Sequence, residues 1–256
     1  MPKVSVIVTT YNRKEYLAET IQSILNQTFQ DFELIVVDNY SNYDFFGLMK
    51  SFNSEKITAF QNQNNGIIAV NRNFGIKLAK GEFIAFCDDD DIWISDKLKL
   101  QIEELQKKSA DLIYSNTLLF TEKGSFRNSN YRPTNSHNYL LFTNHITLSS
   151  VIVRNEPKVE FNVNDNLVGI EDYELWLRLM RGGLKFCFIT TPLVKYRIID
   201  SSYSRLSRST YELKKIQLKK SLLNSDSSLT TTKIFYLFTS LLISITRYSL
   251  FKLLNR

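Results

Sequence analysis

The chain has 256 residues, 43% of them hydrophobic, with a formal net charge of +6 and only two cysteines. That length and apolar fraction suit one large domain, or one domain with an appendage, and exclude a disordered chain. Cys87 and Cys187 lie in apolar runs without metal-ligand spacing, so no disulfide framework is expected and a reducing cytosol is the default.

Val4 to Val8 reads as a buried strand that begins too early to leave room for a signal peptide. It ends at Thr9-Thr10-Tyr11-Asn12-Arg13, and a helix follows from about Lys14 with Leu17, Ile21, Ile24 and Leu25 on one face. Phe32 to Val37 is a second apolar strand ending in Asp38, and residues 39–42 are turn chemistry. A short strand over Ile57 to Phe60, a polar loop over 62–66 and a helix over Val70 to Ala79 come next. Alternating strands and helices predict an α/β fold whose sheet opens its strand ends, at Tyr11, Asp38 and Asp88, onto one crevice.

Phe83 to Cys87 is an unbroken apolar run, as in strands buried on both faces, and Asp88, Asp89, Asp90 and Asp91 follow it directly. Four adjacent carboxylates repel one another, and a hard divalent cation relieves that repulsion. Mg²⁺ or Mn²⁺ takes one or two protein carboxylates and completes its shell with water and phosphate oxygens. A solvated acidic turn is the plain alternative; confinement between a buried strand and Ile92-Trp93 favours the metal–diphosphate site.

Beyond Trp93 the pattern predicts a helix over Ser95 to Lys108 and strands over Asp111 to Tyr114 and Ser149 to Arg154. A helix over Glu171 to Met180 stops at Gly182-Gly183, and strands over Phe186 to Thr190 and Leu193 to Arg197 flank Pro192. Residues 121 to 145 are polar and aperiodic and read as a long loop. His137 and His145, in or beside it, are assigned no role.

Taken singly, the strand-end residues are ambiguous. Asp38 is an acceptor for a base or ribose, or a turn cap. Tyr11 is a stacking platform, or a buried ring with its hydroxyl satisfied. Arg72 pairs with a nucleotide, or is a surface arginine. Glu171 and Asp172 open a helix, where the macrodipole favours carboxylates with or without a catalytic task.

Together, VSVIVTTYNR, ELIVVDNYSN, NNGIIAVNRNFGIKLAKGEFIAFCDDDDIW and GIEDYELWLRL resemble, in order and spacing, the motifs of family 2 glycosyltransferases over about residues 3 to 204. The resemblance implies a GT-A fold: a single nucleotide-sugar-binding α/β domain with a mixed, mostly parallel sheet flanked by helices. It implies donor binding by Thr9, Tyr11, Asp38, Arg72, Asp88 and Asp89, with Asp90 as the ligand of Mn²⁺ or Mg²⁺. Asp172 matches the family's catalytic base, and the resemblance implies acceptor-binding or supporting roles for Asp91, Trp93, Glu171 and Arg197. One base and a metal-bound leaving diphosphate imply direct displacement with inversion. One departure stands out: in KYRIIDSSYS, Ile199 occupies the place where many relatives carry a histidine.

Residues 205–256 read as a separate basic and apolar helical tail, with ten Lys and Arg against Glu212 and Asp226, so residues 1–204 come out near −2. The apolar run Ile234 to Ile245 is short of the roughly 20 residues needed to span a bilayer. With Lys233, Arg247, Lys252 and Arg256 around it, an interfacial helix on an anionic membrane is expected; packing on the domain or in a homodimer is the alternative. Nucleic acid is not expected, because stacking grooves do not need aliphatic runs. Because the matching motifs end by about residue 204, removing 233–256 is expected to spare donor chemistry. The expected protein is thus a cytoplasmic enzyme, peripheral on the inner face of the membrane. It would move a hexose from a UDP-sugar to a lipid-linked saccharide in O-antigen or capsule assembly. Its rival is a non-catalytic nucleotide- or cation-binding protein; a nucleotidyltransferase would want a Gly-rich phosphate loop, which Thr9-Thr10-Tyr11-Asn12 lacks.

Overall fold

The computed structural model describes residues 1–121, 126–128, 138–199, 207–225 and 231–254. Strands β1 (Val4–Thr10), β2 (Phe32–Asp38), β3 (Ile57–Gln61) and β4 (Phe83–Asp88) form a wholly parallel half-sheet in the order β3-β2-β1-β4. Side chains alternate across these strands. Val4, Val6 and Val8, with Phe83, Ala85 and Cys87, face one core, while Ile7, Ile84 and Phe86 face the other. Burial on both faces explains why the strands read as continuous apolar runs.

Helices α1 (Lys14–Leu25) and α4 (Lys97–Lys108) cover the first face with Leu17, Ile21, Ile24, Leu98, Ile102 and Leu105. Helix α2 (Phe45–Ser51), which the sequence pattern missed, adds Phe45 and Met49 and is capped by Asp44, whose carboxylate accepts from Gly47 N–H at 2.8 Å. Helix α3 (Ile68–Leu78) lies on the second face and approaches β1 closely: a Cβ on Gly75 would stand 2.6 Å from Ile7 Cγ2.

The far half of the sheet is mixed. β8 (Ile152–Arg154) runs antiparallel to β4 and to β6 (Leu112–Phe120), β9 (Phe186–Arg197) runs parallel to β6, and β5 (Ile92–Trp93) closes the order antiparallel to β9. Two expectations are corrected here. β6 runs six residues past Tyr114, and the two strands expected around Pro192 are one, with the proline at a register shift opposite Asn116. The polar stretch also contains structure: β7 (Phe126–Asn128) pairs with β6, and α5 (Asn138–Phe142) is a short helix. His137 lies outside the described residues.

Helix α6 (Glu171–Arg181) buries Tyr173, Leu175, Trp176, Leu177 and Leu179 in the second core and ends at Gly182, with Gly183 at φ +83°. Helices α7 (Arg208–Ser225) and α8 (Thr231–Leu254) pack on the same core through Leu218, Leu222 and Leu237. The described part of the tail thus packs on the domain, and the boundary expected at 204/205 falls outside the described residues. Lys215 and Lys219, counted above in the basic excess of the tail, are inside: Lys215 pairs with Glu212 at 3.0 Å, and Lys219 reaches Ser244 Oγ at 2.9 Å. No helix among the described residues is long and apolar enough to cross a membrane.

Candidate active site

The parallel register brings three strand ends to one level. Thr10 pairs with Asp38 across β1–β2, and Thr9 pairs with Asp88 across β1–β4. Thr9 itself is buried; Thr10 is the residue whose hydroxyl turns to the acidic loop, donating to Asp89 Oδ2 at 2.7 Å. Tyr11, at the lip, is 50% exposed, which fits a stacking surface and removes the buried-ring alternative. Asn12 next to it takes φ +54° and latches onto the 41–42 turn, accepting from Asn42 N–H at 2.8 Å.

Asp38 is fully buried, and its carboxylate accepts from Ser41 N–H, Ser41 Oγ–H and Gln61 Nε2. That is the cap role of the two considered.

The four aspartates separate into two kinds. Asp91 is structural: it is wholly buried, accepts from Ser149 Oγ–H at 2.5 Å and Arg197 N–H at 3.1 Å, and its carbonyl accepts from Thr20 Oγ1 at 2.8 Å. Burial, then Asp90 and Asp88, push its carboxyl well above the usual carboxylate range. Trp93 is likewise buried, its indole donating to Ser149 O at 3.0 Å, so it braces the loop and does not face an acceptor. Asp88, 31% exposed at its side chain, and Asp90, 14% exposed, are more open to solvent than Asp89 and Asp91. Burial, reinforced by Asp88 and Asp89 and opposed by Arg13, raises Asp90 to about 7. Asp89 lies beneath them, held by Thr10 and Arg13. Among the described residues no three His, Cys, Asp or Glu side chains converge as metal ligands.

Two arginines tie this loop to the rest of the site. Arg197, buried, donates from Nε to Asp90 O at 2.9 Å, pairs with Glu19, and lies over the Tyr16 and Phe120 rings at 4.7 and 4.6 Å. It fixes the acidic loop from behind, which makes it a supporting residue. Arg72, also buried, is a bridge and not a surface arginine: Nη2 meets Asp88 Oδ1 at 2.9 Å, and Nη1 meets Glu171 Oε1 at 2.7 Å. Burial works against its charge, but Asp88, Glu171 and Asp172 outweigh it. Glu171 Oε2 accepts from Gly169 N–H, so both its oxygens are engaged within the protein.

Asp172 is half-buried at the first turn of α6, beside Glu171. Its Oδ2 accepts from Asn144 Nδ2 at 2.9 Å, and Oδ1 lies 2.7 Å from Tyr173 N. Burial, then Glu171, raise it to about 7, against Arg72 and the Asn144 bond. A half-buried carboxyl poised near neutrality is suited to taking a proton.

Four contributors escaped the sequence reading. Arg13 had a signal, a lone cation at the strand end facing four acids. Thr10 was masked by its neighbour Thr9. Ser149 and Asn144 lie in or beside the aperiodic stretch, and nothing in their spacing marks them.

A model of "Glycosyl transferase family 2" matches residues 5–158. An uncharacterised glycosyltransferase of Methanocaldococcus jannaschii is 32% identical over 229 residues, covering 83% of this chain and 79% of that protein. The UDP-Glc:alpha-D-GlcNAc-diphosphoundecaprenol beta-1,3-glucosyltransferase WfaP of Escherichia coli is 30% identical, covering 86% and 88%. Residues 1–349 of S. aureus TarS, solved in complex with UDP-GlcNAc, share the fold with a TM-score of 0.76 at 19% identity, over 96% of this chain and 72% of that one. With this family match, these relatives and this fold, the chain belongs to glycosyl transferase family 2.

Proposed function

We propose that this glycosyltransferase is an inverting hexosyltransferase acting in surface-polysaccharide assembly. It takes a hexose from a UDP-sugar and places it on a saccharide carried by a polyprenyl diphosphate. The observation that carries the reading is the bridge Asp88–Arg72–Glu171, which sets the donor-side acid and the adjacent Asp172 in one fixed frame. The name of the E. coli relative, a glucosyltransferase acting on a diphosphoundecaprenol-linked sugar, supports the donor and acceptor classes.

The exposed Tyr11 ring stacks the base, and Arg72 and Asp88 border the ribose and diphosphate side. Asp172 accepts the proton of the acceptor hydroxyl as its oxygen attacks the anomeric carbon. The bond from that carbon to the diphosphate oxygen breaks, its electron pair leaving with the diphosphate, and the configuration inverts. Asp90, with Asp88, would hold Mn²⁺ or Mg²⁺: two carboxylates with side-chain exposure suit a cation that takes only one or two protein carboxylates and otherwise prefers phosphate oxygens and water. When bound, that cation neutralises charge on the departing diphosphate.

The enzyme works at the inner membrane face. Helix α8 buries Leu237, Ser240, Leu241 and Ser244 and exposes Phe235, Phe238, Leu242, Ile243 and Leu250 on other faces. No acid occurs between 231 and 254, and Lys220 and Arg247 are exposed nearby, which suits an anionic lipid surface. Proton NMR of the product tests the mechanism: an anomeric configuration opposite to the donor's is expected, and retention would overturn single displacement.

A further inference from the structure

Asp172 is held from outside its own helix by one side chain among the bonds above, Asn144, and Asn144 is itself fixed at both ends. Its Nδ2 donates to Asp172 Oδ2 at 2.9 Å while its Oδ1 accepts from Ile146 N–H at 3.2 Å. Ile146 and Leu148, just beyond, are buried in the second core. One residue, Thr143, separates Asn144 from α5, which is only five residues long. A helix of that length has no stability of its own, and its last carbonyls need outside partners.

Those partners come from two places. Tyr173, the neighbour of Asp172, donates its hydroxyl to Leu140 O at 2.7 Å. The other donors belong to the C-terminal helices: Ser240 Oγ to Leu141 O at 2.8 Å, and Lys219 Nζ to Phe142 O at 3.3 Å. Lys219 is wholly buried and also reaches Ser244 Oγ at 2.9 Å, so α7 and α8 are knotted together at the point where they grip α5. Phe142 and Tyr236 meet edge to face at 5.8 Å and close the same contact. A buried lysine is costly unless its charge or its hydrogen bonds are used, and here all three recipients lie on α5 or α8.

We infer that Asn144 is a positioning residue that aims the Asp172 carboxylate and favours its ionised form, and that α7 and α8 hold Asn144 in place through α5. The inference rests on Asp172 as the base, as proposed above. It reverses the expectation that the tail is dispensable for chemistry, since the tail grips the segment that carries Asn144. An amide donor on a carboxylate favours the charged state, and loss of aim at a base slows proton transfer without touching donor contacts. The groups facing Asp172 are Glu171 from its own helix, Arg72 of α3, Tyr196 of β9 and Tyr211 of α7, none of which is altered in the variants below.

The test uses the full chain. Carbon-13 NMR of aspartate-labelled protein follows the Asp172 carboxyl, assigned with Asp172→Asn, in wild type, Asn144→Ala, Asn144→Asp and Lys219→Met. Asn144→Asp keeps the acceptor for Ile146 N–H while replacing the donor with a like charge, so it separates aiming from folding of the turn. The Asp172 midpoint is expected to rise by about one unit in Asn144→Ala and by more in Asn144→Asp. In Lys219→Met it should rise in the same direction. Turnover is measured with the UDP-, GDP- or dTDP-sugar that wild type uses fastest; kcat should fall on the order of tenfold or more with donor KM unchanged. A titration and kcat within twofold of wild type in both Asn144 variants would overturn the inference. An unmoved Asp172 in Lys219→Met would overturn the part assigned to the tail. If Asp172→Asn itself keeps wild-type turnover, the base assignment fails, and the carbon-13 titration still decides whether Asn144 holds the carboxylate.

Discussion

Arg13 Nη1 lies 2.6 Å from Asp90 Oδ2, with Asp89 Oδ1 on its other side at 3.0 Å. The guanidinium thus engages the Asp90 carboxylate proposed to hold a divalent cation, and it offsets part of the repulsion in the acidic loop. Arg13→Gln should therefore bind Mn²⁺ alone at least about threefold more tightly, at a pH near 8.5, above the value of about 7 to which Asp90 is raised. Electron paramagnetic resonance of free Mn²⁺ reads this directly. Unchanged or weaker binding contradicts the competition, and Asp90→Asn should abolish the binding in either background.

Arg72 is the keystone of the frame that joins β4 to α6. Replacing it with methionine leaves Glu171 buried without its cation, a loss of about 3 kcal/mol. Thermal unfolding should move down by about 10 °C, and Glu171→Gln in the same chain should recover part of it. A midpoint within a degree or two of wild type would mean that the bridge holds nothing in place.

The N-terminal half of this site was open to reading from the sequence because its information is local. An apolar run buried on both faces announces β4, and Asp88 to Asp91 must then sit at its carboxyl end. What could not be read is how the four acids divide. Asp91 turns inward to Ser149 and Arg197, residues 58 and 106 positions away, and no local pattern encodes partners at that distance. The same holds for Asn144 beneath Asp172 and for Lys219, whose charge looks solvent-facing in sequence and is buried in the fold. Helix α2 was missed because Phe45–Ser51 spans barely two turns beside turn residues.

The two faces of α8 should respond differently to substitution. Serine at both Phe235 and Leu242, exposed side chains, should abolish binding to vesicles containing phosphatidylglycerol while leaving the fold and donor turnover intact. Wild-type binding should weaken with salt but not vanish, since charge attraction is screened beyond about 10 Å at 0.1 M and apolar insertion is not. Deleting 231–254 should instead cause aggregation, because Leu237 and Leu241 leave the core. Vesicle binding by the double-serine variant equal to wild type excludes this face as the lipid contact. A wild-type dimer that the variant breaks would assign the face to a second copy.

The rate should follow the ionisation of Asp172. Burial and Glu171 raise its carboxyl to about 7, and as the proposed base it would act as the carboxylate. Activity is therefore lost as pH falls through that value and reaches a plateau above it; with Mn²⁺ saturating, so that Asp90 does not add a second ionisation, log kcat should rise with unit slope below about 7. A flat profile from pH 5 to 9 contradicts a carboxyl of this kind at the rate-limiting step.

The most direct test of the account is the turnover of Asp172→Asn against its affinity for donor. The amide keeps the shape of the side chain and the acceptor for Asn144 Nδ2, and removes the proton-accepting carboxylate. The account predicts kcat reduced at least about a hundredfold with donor Kd unchanged, the signature of a lost general base. Turnover near wild type would contradict it outright, and equal losses in kcat and donor affinity would make Asp172 a structural cap of α6.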